Sequence, residues 1–387
     1  MPTNSQSDYF HRQGEATPTP LEGAPYACYI PLMEKKGKVF VGMSGGVDSS
    51  VSALLLKEAG YDVIGVFIKV WQADFLPCSW RDERRDAMRA AAHLQIPFLT
   101  LDLEKEYKKE VVDYMIREYR EGRIPNPDVM CNKHVKFGAF LTFAEEHGAD
   151  FIATGHYARI EKSDEAYRLL AGVDKEKDQS YFLWTLEQNA LPRILFPVGG
   201  MEKSEVRSIA EKNELPNAGK KDSQGLCFMG QVDMEDFLKH YIKTKKGDVL
   251  DKEGKVIGEH EGSELYTIGQ RHGFTATNKG SSDEPYFVVS KNIETNTITV
   301  AHRSEQDGNI QTLTFRVENL LLRNYDKSEE GLMVRIRYRG ALVAAQLRET
   351  AGVTTVVPSS PFTDLASGQS AVFYRKEECL GGGIIML

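Results

Sequence analysis

The chain has 387 residues, 41% hydrophobic and 27% charged, which is enough for two or three globular domains. It contains no run of 18 apolar residues, so no stretch reads as a membrane-spanning helix. Its formal net charge of −8 has the wrong sign for a generic nucleic-acid binder, and its five scattered cysteines (Cys28, Cys78, Cys131, Cys227, Cys379) form no CxxC pair, against both a zinc ribbon and a disulfide scaffold.

Residues 1–32 are polar and rich in Pro, Ser and Thr, and lack the apolar core of a secretory signal. A disordered leader is expected there, with Met33 a candidate start and Cys28 without a role. Lys38 to Ser50, KVFVGMSGGVDSS, then gives an apolar strand, a glycine-rich turn and a helix expected from Ser49 to about Ala59. Gly45 and Gly46 let backbone N–H groups approach an anion, with the positive end of the helix dipole behind them. No Lys-Ser/Thr pair closes the turn, so it is not a Walker A loop. The pattern Ser44-Gly-Gly-Val-Asp48-Ser49 resembles the pyrophosphate loop of ATP pyrophosphatases.

Val63 to Val70 suits a strand buried on both faces. A helix is expected over Asp82 to Gln95 with Asp82 as N-cap, with Met88 in the core and His93 packed or at the surface. Phe98 to Leu103 follows as a strand, then a charged helix from Glu104 to Arg120 and another from about Lys133 to His147. Phe151 to Thr154 is a further strand. Alternating strands and helices predict a doubly wound parallel sheet, with its ligand beyond the carboxyl ends of the strands.

Beyond about residue 240, turn signals separate short strands such as Tyr286 to Val289 and Thr297 to Val300. The expected organisation is an α/β catalytic domain over 33–238, a small β-rich domain over 239–300 and a C-terminal β-barrel over 301–387. Residues 301–387 hold ten Lys/Arg and ten Asp/Glu, so the rest of the chain carries the −8 and any RNA contact must use local patches. Val334 to Arg339 alternates so that Arg335, Arg337 and Arg339 share one face of an expected strand, a candidate phosphate contact.

Two polar stretches carry a cysteine. In Asn126-Pro127-Asp128-Val129-Met130-Cys131, the prolines stiffen a loop and Cys131 is expected just before a helix start, where the dipole favours a thiolate. In Asp222-Ser223-Gln224-Gly225-Leu226-Cys227-Phe228, polar and glycine residues suggest an accessible thiol. Cys78 and Cys379 read as structural, and Gly381 to Gly383 as a turn or bulge.

With GMSGGVDSS, NPDVMCNKHVKFG, ATGHYAR, KDQSYFLW, FPVG, DSQGLCF, YTIGQRHG, RIRYRG and GQSAVFY in this order, the chain resembles the tRNA-specific 2-thiouridylases of the bacterial MnmA type from residue 38 to about 375. The resemblance implies ATP-dependent 2-thiolation of the wobble uridine in tRNA. Gly42, Met43, Ser44, Gly45, Gly46, Val47, Asp48 and Ser49 would bind ATP, with Ile68 beside the adenine and Gly155 nearby. The family usually has Met at the position of Ile68, an apolar exchange that should preserve the stacking. Asn126, Pro127 and Asp128 would meet the base, Asp128 as general base or as a positioning group. Cys227 would carry a persulfide and Cys131 would resolve it as a disulfide. His156, Lys177, Asp178, Gln179, Arg337, Tyr338 and Gln369 would contact tRNA.

Mg²⁺ is expected on the pyrophosphate, with no dedicated ligand set beyond Asp48. The sulfur donor would be a relay protein or a cysteine desulfurase, and the setting a reducing cytoplasm without a membrane. Two rivals use the same loop: a ligase that adenylates a carboxylate or carbonyl and needs no cysteine pair, and a tRNA-binding protein without catalysis.

Overall fold

The computed structural model describes residues 36–76, 80–163, 166–222, 233–276, 284–302, 314–326, 330–362 and 365–387. The expected leader, Met33, Cys28, Cys78 and Cys227 lie outside the described residues.

Five parallel strands form the first sheet: β1 (Lys38–Gly42), β2 (Asp62–Lys69), β3 (Phe98–Asp102), β4 (Phe151–Ala153) and, later in the chain, Ile194–Leu195, in the order β3-β2-β1-β4 and then the last strand. In β1 the apolar run works on both faces. Val39 and Val41 pack with residues of α1 (Val47–Glu58), α2 (Trp80–His93) and the helix Lys203–Lys212. Phe40 packs on the other side with Val111, Val135 and Phe140 from two long helical runs. The sheet is therefore covered on both faces, as a parallel sheet requires.

The first run joins α3 (Glu104–Tyr107) through a π-helical stretch, Lys108–Asp113, to α4 (Tyr114–Arg120). The second joins α5 (Pro127–Met130) through Cys131–Ala139 to α6 (Phe140–Glu146). Among the described residues, the other α-helices are α7 (Lys203–Lys212) and α8 (Met234–Lys239).

Several expected boundaries move. α1 begins at Val47 rather than Ser49, because Gly46 takes the extended cap position. α2 begins at Trp80, so Asp82 is not its cap but lies with Glu83 in the first turn, facing the positive end of the dipole. Met88 is 41% exposed and is not core; Ala87, Ala90 and Ala91 form the buried face instead. His93 is at the surface, 2.9 Å from the Asn213 carbonyl.

After β4 come β5 (Ala158–Lys162) and β6 (Tyr167–Ala171), then β7 (Ile194–Leu195) at the edge of the first sheet. A second sheet holds β8 (Gly247–Leu250), β9 (Val256–His260), β10 (Phe274–Ala276), β11 (Tyr286–Asn292) and β12 (Thr297–His302). The C-terminal strands are β13 (Phe315–Leu322), β14 (Met333–Arg335), β15 (Val343–Thr350), β16 (Val353–Pro358), β17 (Ser370–Arg375) and β18 (Glu378–Met386). They run β13-β16-β15-β14-β17-β18, and β18 returns to β13, which closes a six-stranded barrel. The expected glycine bulge falls in β18, where the pairing with β17 shifts register. The β5–β6 pair joins this sheet through Glu378 opposite Leu170, so the α/β part and the barrel share hydrogen bonds.

Candidate functional site

Chain order reverses at β1: β2 and β3 lie to one side of it, β4 and β7 to the other. A crevice opens at such a switch point, beyond the carboxyl ends of the strands. Residues 43–46 enter it after β1 and residues 154–157 after β4. Gly45 has φ +78°, and a Cβ there would lie 2.4 Å from the Glu83 carbonyl oxygen, so only glycine fits. Gly46 caps α1 with backbone alone, which leaves the first-turn N–H groups without a capping side chain and suits them to an anion.

Ser49 Oγ donates to the Gly46 carbonyl at 3.1 Å and accepts from Ser44 N at 3.3 Å. Asn217 braces the turn, its Nδ2 3.0 Å from the Gly45 carbonyl and 3.0 Å from Ser50 Oγ. Gly155 touches the same helix start: a Cβ on it would lie 2.7 Å from Ser49 N and 2.9 Å from Asp48 Cβ. Met43 and Ile68 are buried, at 1% and 4% exposure, Ile68 near the carboxyl end of β2.

A charge cluster flanks Asp48. Its Oδ1 accepts from Lys203 Nζ at 2.6 Å and from the Tyr157 hydroxyl at 2.9 Å. Lys203 also reaches Asp222 at 3.0 Å, and Arg207 and Lys177 pair with Asp222 at 2.6 and 2.7 Å. Burial alone would raise the Asp222 carboxyl, but the hydrogen bonds from Lys177 and Lys203 hold it well below the usual carboxylate range. Burial, with the Asp48 carboxylate beside it, pushes the Tyr157 phenol far up. Asp174, buried nearby, accepts from the backbone N–H groups of Lys203 and Lys177, so three cations and three carboxylates meet beside the loop.

The helical run over 127–146 touches the same strand ends, Phe140 lying 3.5 Å from where a Cβ on Gly42 would be. His156 follows Gly155; its ring nitrogens lie 2.7 Å from Thr154 Oγ1 and 3.4 Å from Lys136 Nζ. Burial, and then the Lys136 charge, hold its imidazole well below the ordinary value. Asn126 caps the run, its Oδ1 accepting from Val129 N at 3.3 Å, with Pro127 at the first helical position. The helix thus starts at Pro127, not near Lys133. Cys131 lies past the first turn, at 0% exposure, and not ahead of the helix as its sequence context suggests. Asp128 sits half-buried in the first turn.

The other expected residues divide. Asp178 is 6% exposed, and its Oδ1 accepts from Gly172 N and Ser180 N, both at 3.0 Å, while Oδ2 faces Arg335 at 3.4 Å. Gln179 pairs with the backbone of Tyr157, through its side chain at 3.0 Å and its N–H at 2.8 Å. Gln369 Nε2 reaches the carbonyls of Ile124 and Pro125 at 2.9 and 3.2 Å. Tyr338 packs on Phe182, ring centroids 4.6 Å apart, and the Arg337 charge acts on the buried Tyr181 hydroxyl. The expected arginine face does not form. β14 ends at Arg335, residues 336–340 turn, and Arg339 takes φ +60° with its guanidinium on the Glu176 carbonyl. Arg335 instead pairs inward with Asp178. Cys379 is buried beside Arg323, consistent with a structural thiol.

Sequence reading passed over Lys203 and Asn217, and gave Tyr157 no role of its own. All three touch the phosphate loop or its aspartate from distant segments, and only the MEKSEVR helix start hinted at Lys203.

The fold and this loop define a phosphate-loop α/β protein that carries two β modules. Three family models match it in series: a tRNA methyl transferase HUP domain over residues 37–231, a tRNA methyl transferase PRC-barrel domain over 235–302 and an aminomethyltransferase beta-barrel domain over 310–385. The tRNA-specific 2-thiouridylase MnmA of Enterococcus faecalis is 44% identical over 361 residues, which cover 90% of this chain and 95% of that protein. The tRNA-specific 2-thiouridylase MnmA 2 of Geobacillus kaustophilus is 45% identical over 352 residues, 90% of this chain and 94% of that one. The chain belongs to the tRNA-specific 2-thiouridylase family, as its motifs led one to expect. Among solved structures, the U34-tRNA thiolase NcsA of Methanococcus maripaludis aligns over 54% of this chain and 65% of its own, with 18% identity and a TM-score of 0.34.

Proposed function

We propose that this protein makes 2-thiouridine at the wobble position of tRNA, using ATP to activate the base and a cysteine persulfide to deliver sulfur. One observation carries the reading: the phosphate loop and the helix bearing Asp128 and Cys131 meet in one crevice, linked by Gly155 against Asp48 and His156 against Lys136. Relatives 44% and 45% identical, aligned over 95% and 94% of their own length, bear the thiouridylase name. The family descriptions mention methyl transfer, but a backbone-capped helix start, with Lys203 on its aspartate, suits a polyphosphate and its departing pyrophosphate.

The uridine 2-carbonyl oxygen is a poor leaving group. Its attack on the α-phosphorus of ATP forms an O–P bond and expels pyrophosphate. Loop N–H groups and Lys203 stabilise the charge that develops on the departing phosphates. The terminal sulfur of a Cys227 persulfide then bonds to C2, and AMP leaves with the old carbonyl oxygen. Cys131 attacks the inner sulfur, and the Cys131–Cys227 disulfide that results is reduced by cytosolic thiols. Asn126, Pro127 and Asp128 hold the base, and Asp128 holds or accepts its proton.

Magnesium binds through one or two carboxylates plus phosphate oxygens, and Asp48 is the loop's own carboxylate, so the residues present fit that ion. When bound it neutralises phosphate charge. A protein persulfide, from a relay protein or a cysteine desulfurase, supplies the sulfur.

The test is thiolation of a wobble-uridine tRNA transcript, read by retardation in a mercury-containing gel. ATP, cysteine and a cysteine desulfurase are supplied, and native protein is compared with Cys227→Ala. A shift with native protein that vanishes in the variant is expected. No shift with native protein, with the tRNA bound and the sulfur donor shown to be active, would favour a ligase on the same loop or a tRNA-binding protein without catalysis.

A further inference from the structure

Lys136 stands one turn beyond Cys131. Residues 131–139 wind as a π-helix, in which each N–H reaches the carbonyl five residues back, and such turns recur at functional sites. The Lys136 Nζ lies 3.4 Å from His156 Nε2. An ammonium only donates, so Nε2 is the accepting nitrogen, and Nδ1 carries the ring hydrogen and donates it to Thr154 Oγ1 at 2.7 Å. The imidazole is fixed on its faces as well, with the Phe137 and Phe196 ring centroids 5.7 and 5.8 Å from its own. A buried, neutral imidazole thus holds a half-buried ammonium in one place.

That place is the switch point of the sheet. Thr154 follows β4, and its Cγ2 lies 3.7 Å from where a Cβ on Gly42, the last residue of β1, would be. Gly155 meets Ser49 N and Asp48 at the start of α1, and the next residue, His156, meets Lys136 of the helical run. Two lysines therefore reach the strand ends from opposite faces of the sheet, Lys203 from α7 and Lys136 from the Cys131 helix. Lys203 pairs with the Asp48 and Asp222 carboxylates at 2.6 and 3.0 Å. His156 is uncharged, so its contact with Lys136 leaves the charge of the ammonium intact.

The reaction has one group that belongs to both ends of the crevice. In ATP the α-phosphorus is bonded to the pyrophosphate oxygen, and after adenylation it is bonded to uridine O2. It stays there until sulfur bonds to C2 and the C2–O bond breaks, its electron pair leaving on AMP. We propose that Lys136 is a catalytic residue, its ammonium donating to a non-bridging oxygen of the α-phosphate. It keeps its proton in both steps, and it stabilises the charge first on the phosphorus under attack and then on the departing AMP. This assignment rests on the reaction given under the proposed function.

The test compares full-length Lys136→Met, Lys136→Gln and Lys136→Arg with the native chain. Affinities for AMP and for adenosine are measured first, without tRNA, and then tRNA-dependent pyrophosphate release. In Lys136→Met, AMP affinity should fall by about tenfold or more, the worth of one hydrogen bond to a charged group, with adenosine affinity unchanged. The kcat of pyrophosphate release should fall by about the same factor with KM for tRNA unchanged. Gln can still donate to His156 Nε2 but carries no charge, so Lys136→Gln should behave as Lys136→Met does. Arg keeps the charge and should recover part of both losses. Full recovery by Gln would make Lys136 a structural partner of His156 and overturn the proposal. So would an unchanged preference for AMP over adenosine in Lys136→Met, or a raised KM for tRNA with kcat intact. If Lys136→Met fails to fold, Lys136→Gln decides by the same ratio of affinities. If native protein releases no pyrophosphate with tRNA, the functional reading fails, and the AMP-to-adenosine ratio alone decides the role of Lys136.

Discussion

The two ends of the crevice are built differently. At the phosphate end, Met43 to Ser49 carry most of the geometry themselves: a left-handed Gly45, a backbone-only cap and serine bonds within the turn. At the end proposed to hold the base, the turn ahead of Asn126 is held from more than 200 residues away in sequence, by Gln369 on the Ile124 and Pro125 carbonyls. A short motif can specify an anion site, because backbone N–H groups are all it needs. Placing a base against that anion, as proposed above, needs a frame, and the barrel's bonds to the Ile124–Pro125 turn would supply it.

The largest effect expected on this contrast is at Lys203, which reaches the phosphate end from α7. Lys203→Ala should slow tRNA-dependent pyrophosphate release by about a hundredfold or more while tRNA affinity holds, since it removes a charge poised for the transition state. Equal loss of tRNA binding would mean that the two ends are not separable.

Asp178→Ala should act through the frame. It strips the partners from two buried N–H groups and from Arg335, and should cost about 3 kcal/mol of stability by denaturant melting. A stable variant with weakened tRNA binding would instead make Asp178 an RNA contact. Gly155→Ala pushes a methyl against Ser49 N and Asp48, and should cost about 1–3 kcal/mol with ATP binding lost before tRNA binding.

The smallest effect expected is a pH slope at His156. Its folded pKa is depressed, so below the ordinary value of 6.5 the unfolded chain takes up a proton that the folded chain refuses. Stability should therefore fall as pH drops from 6.5, by at most about 1.4 kcal/mol per pH unit from this site. His156→Gln should flatten that part of the curve, measured as melting temperature against pH.

The same contrast explains what could be read in the sequence. β1, the loop and α1 announce themselves because period, glycines and cap fall within a dozen residues. The parallel sheet and the C-terminal barrel were legible from strand–helix alternation and from turn spacing. The start of the Cys131 helix was misjudged because Asn126-Pro127 reads equally as a rigid loop and as a cap with proline at the first helical position. Arg335, Arg337 and Arg339 alternate as a strand would, but β14 stops at Arg335, where that side chain turns inward to Asp178. Met88 fits an apolar pattern, yet three small alanines suffice for the buried face of α2. The Lys203–Asp48 and Gln369–Pro125 contacts join segments far apart in sequence, and no local pattern encodes them.

The measurement that tests the account most directly is pyrophosphate release beside sulfur incorporation in Cys227→Ala. The variant, given ATP and a wobble-uridine tRNA transcript, should still release pyrophosphate in proportion to tRNA while forming no thiolated product. Loss of pyrophosphate release together with thiolation, or release of inorganic phosphate with ADP instead, would contradict separate phosphate and sulfur ends in one crevice.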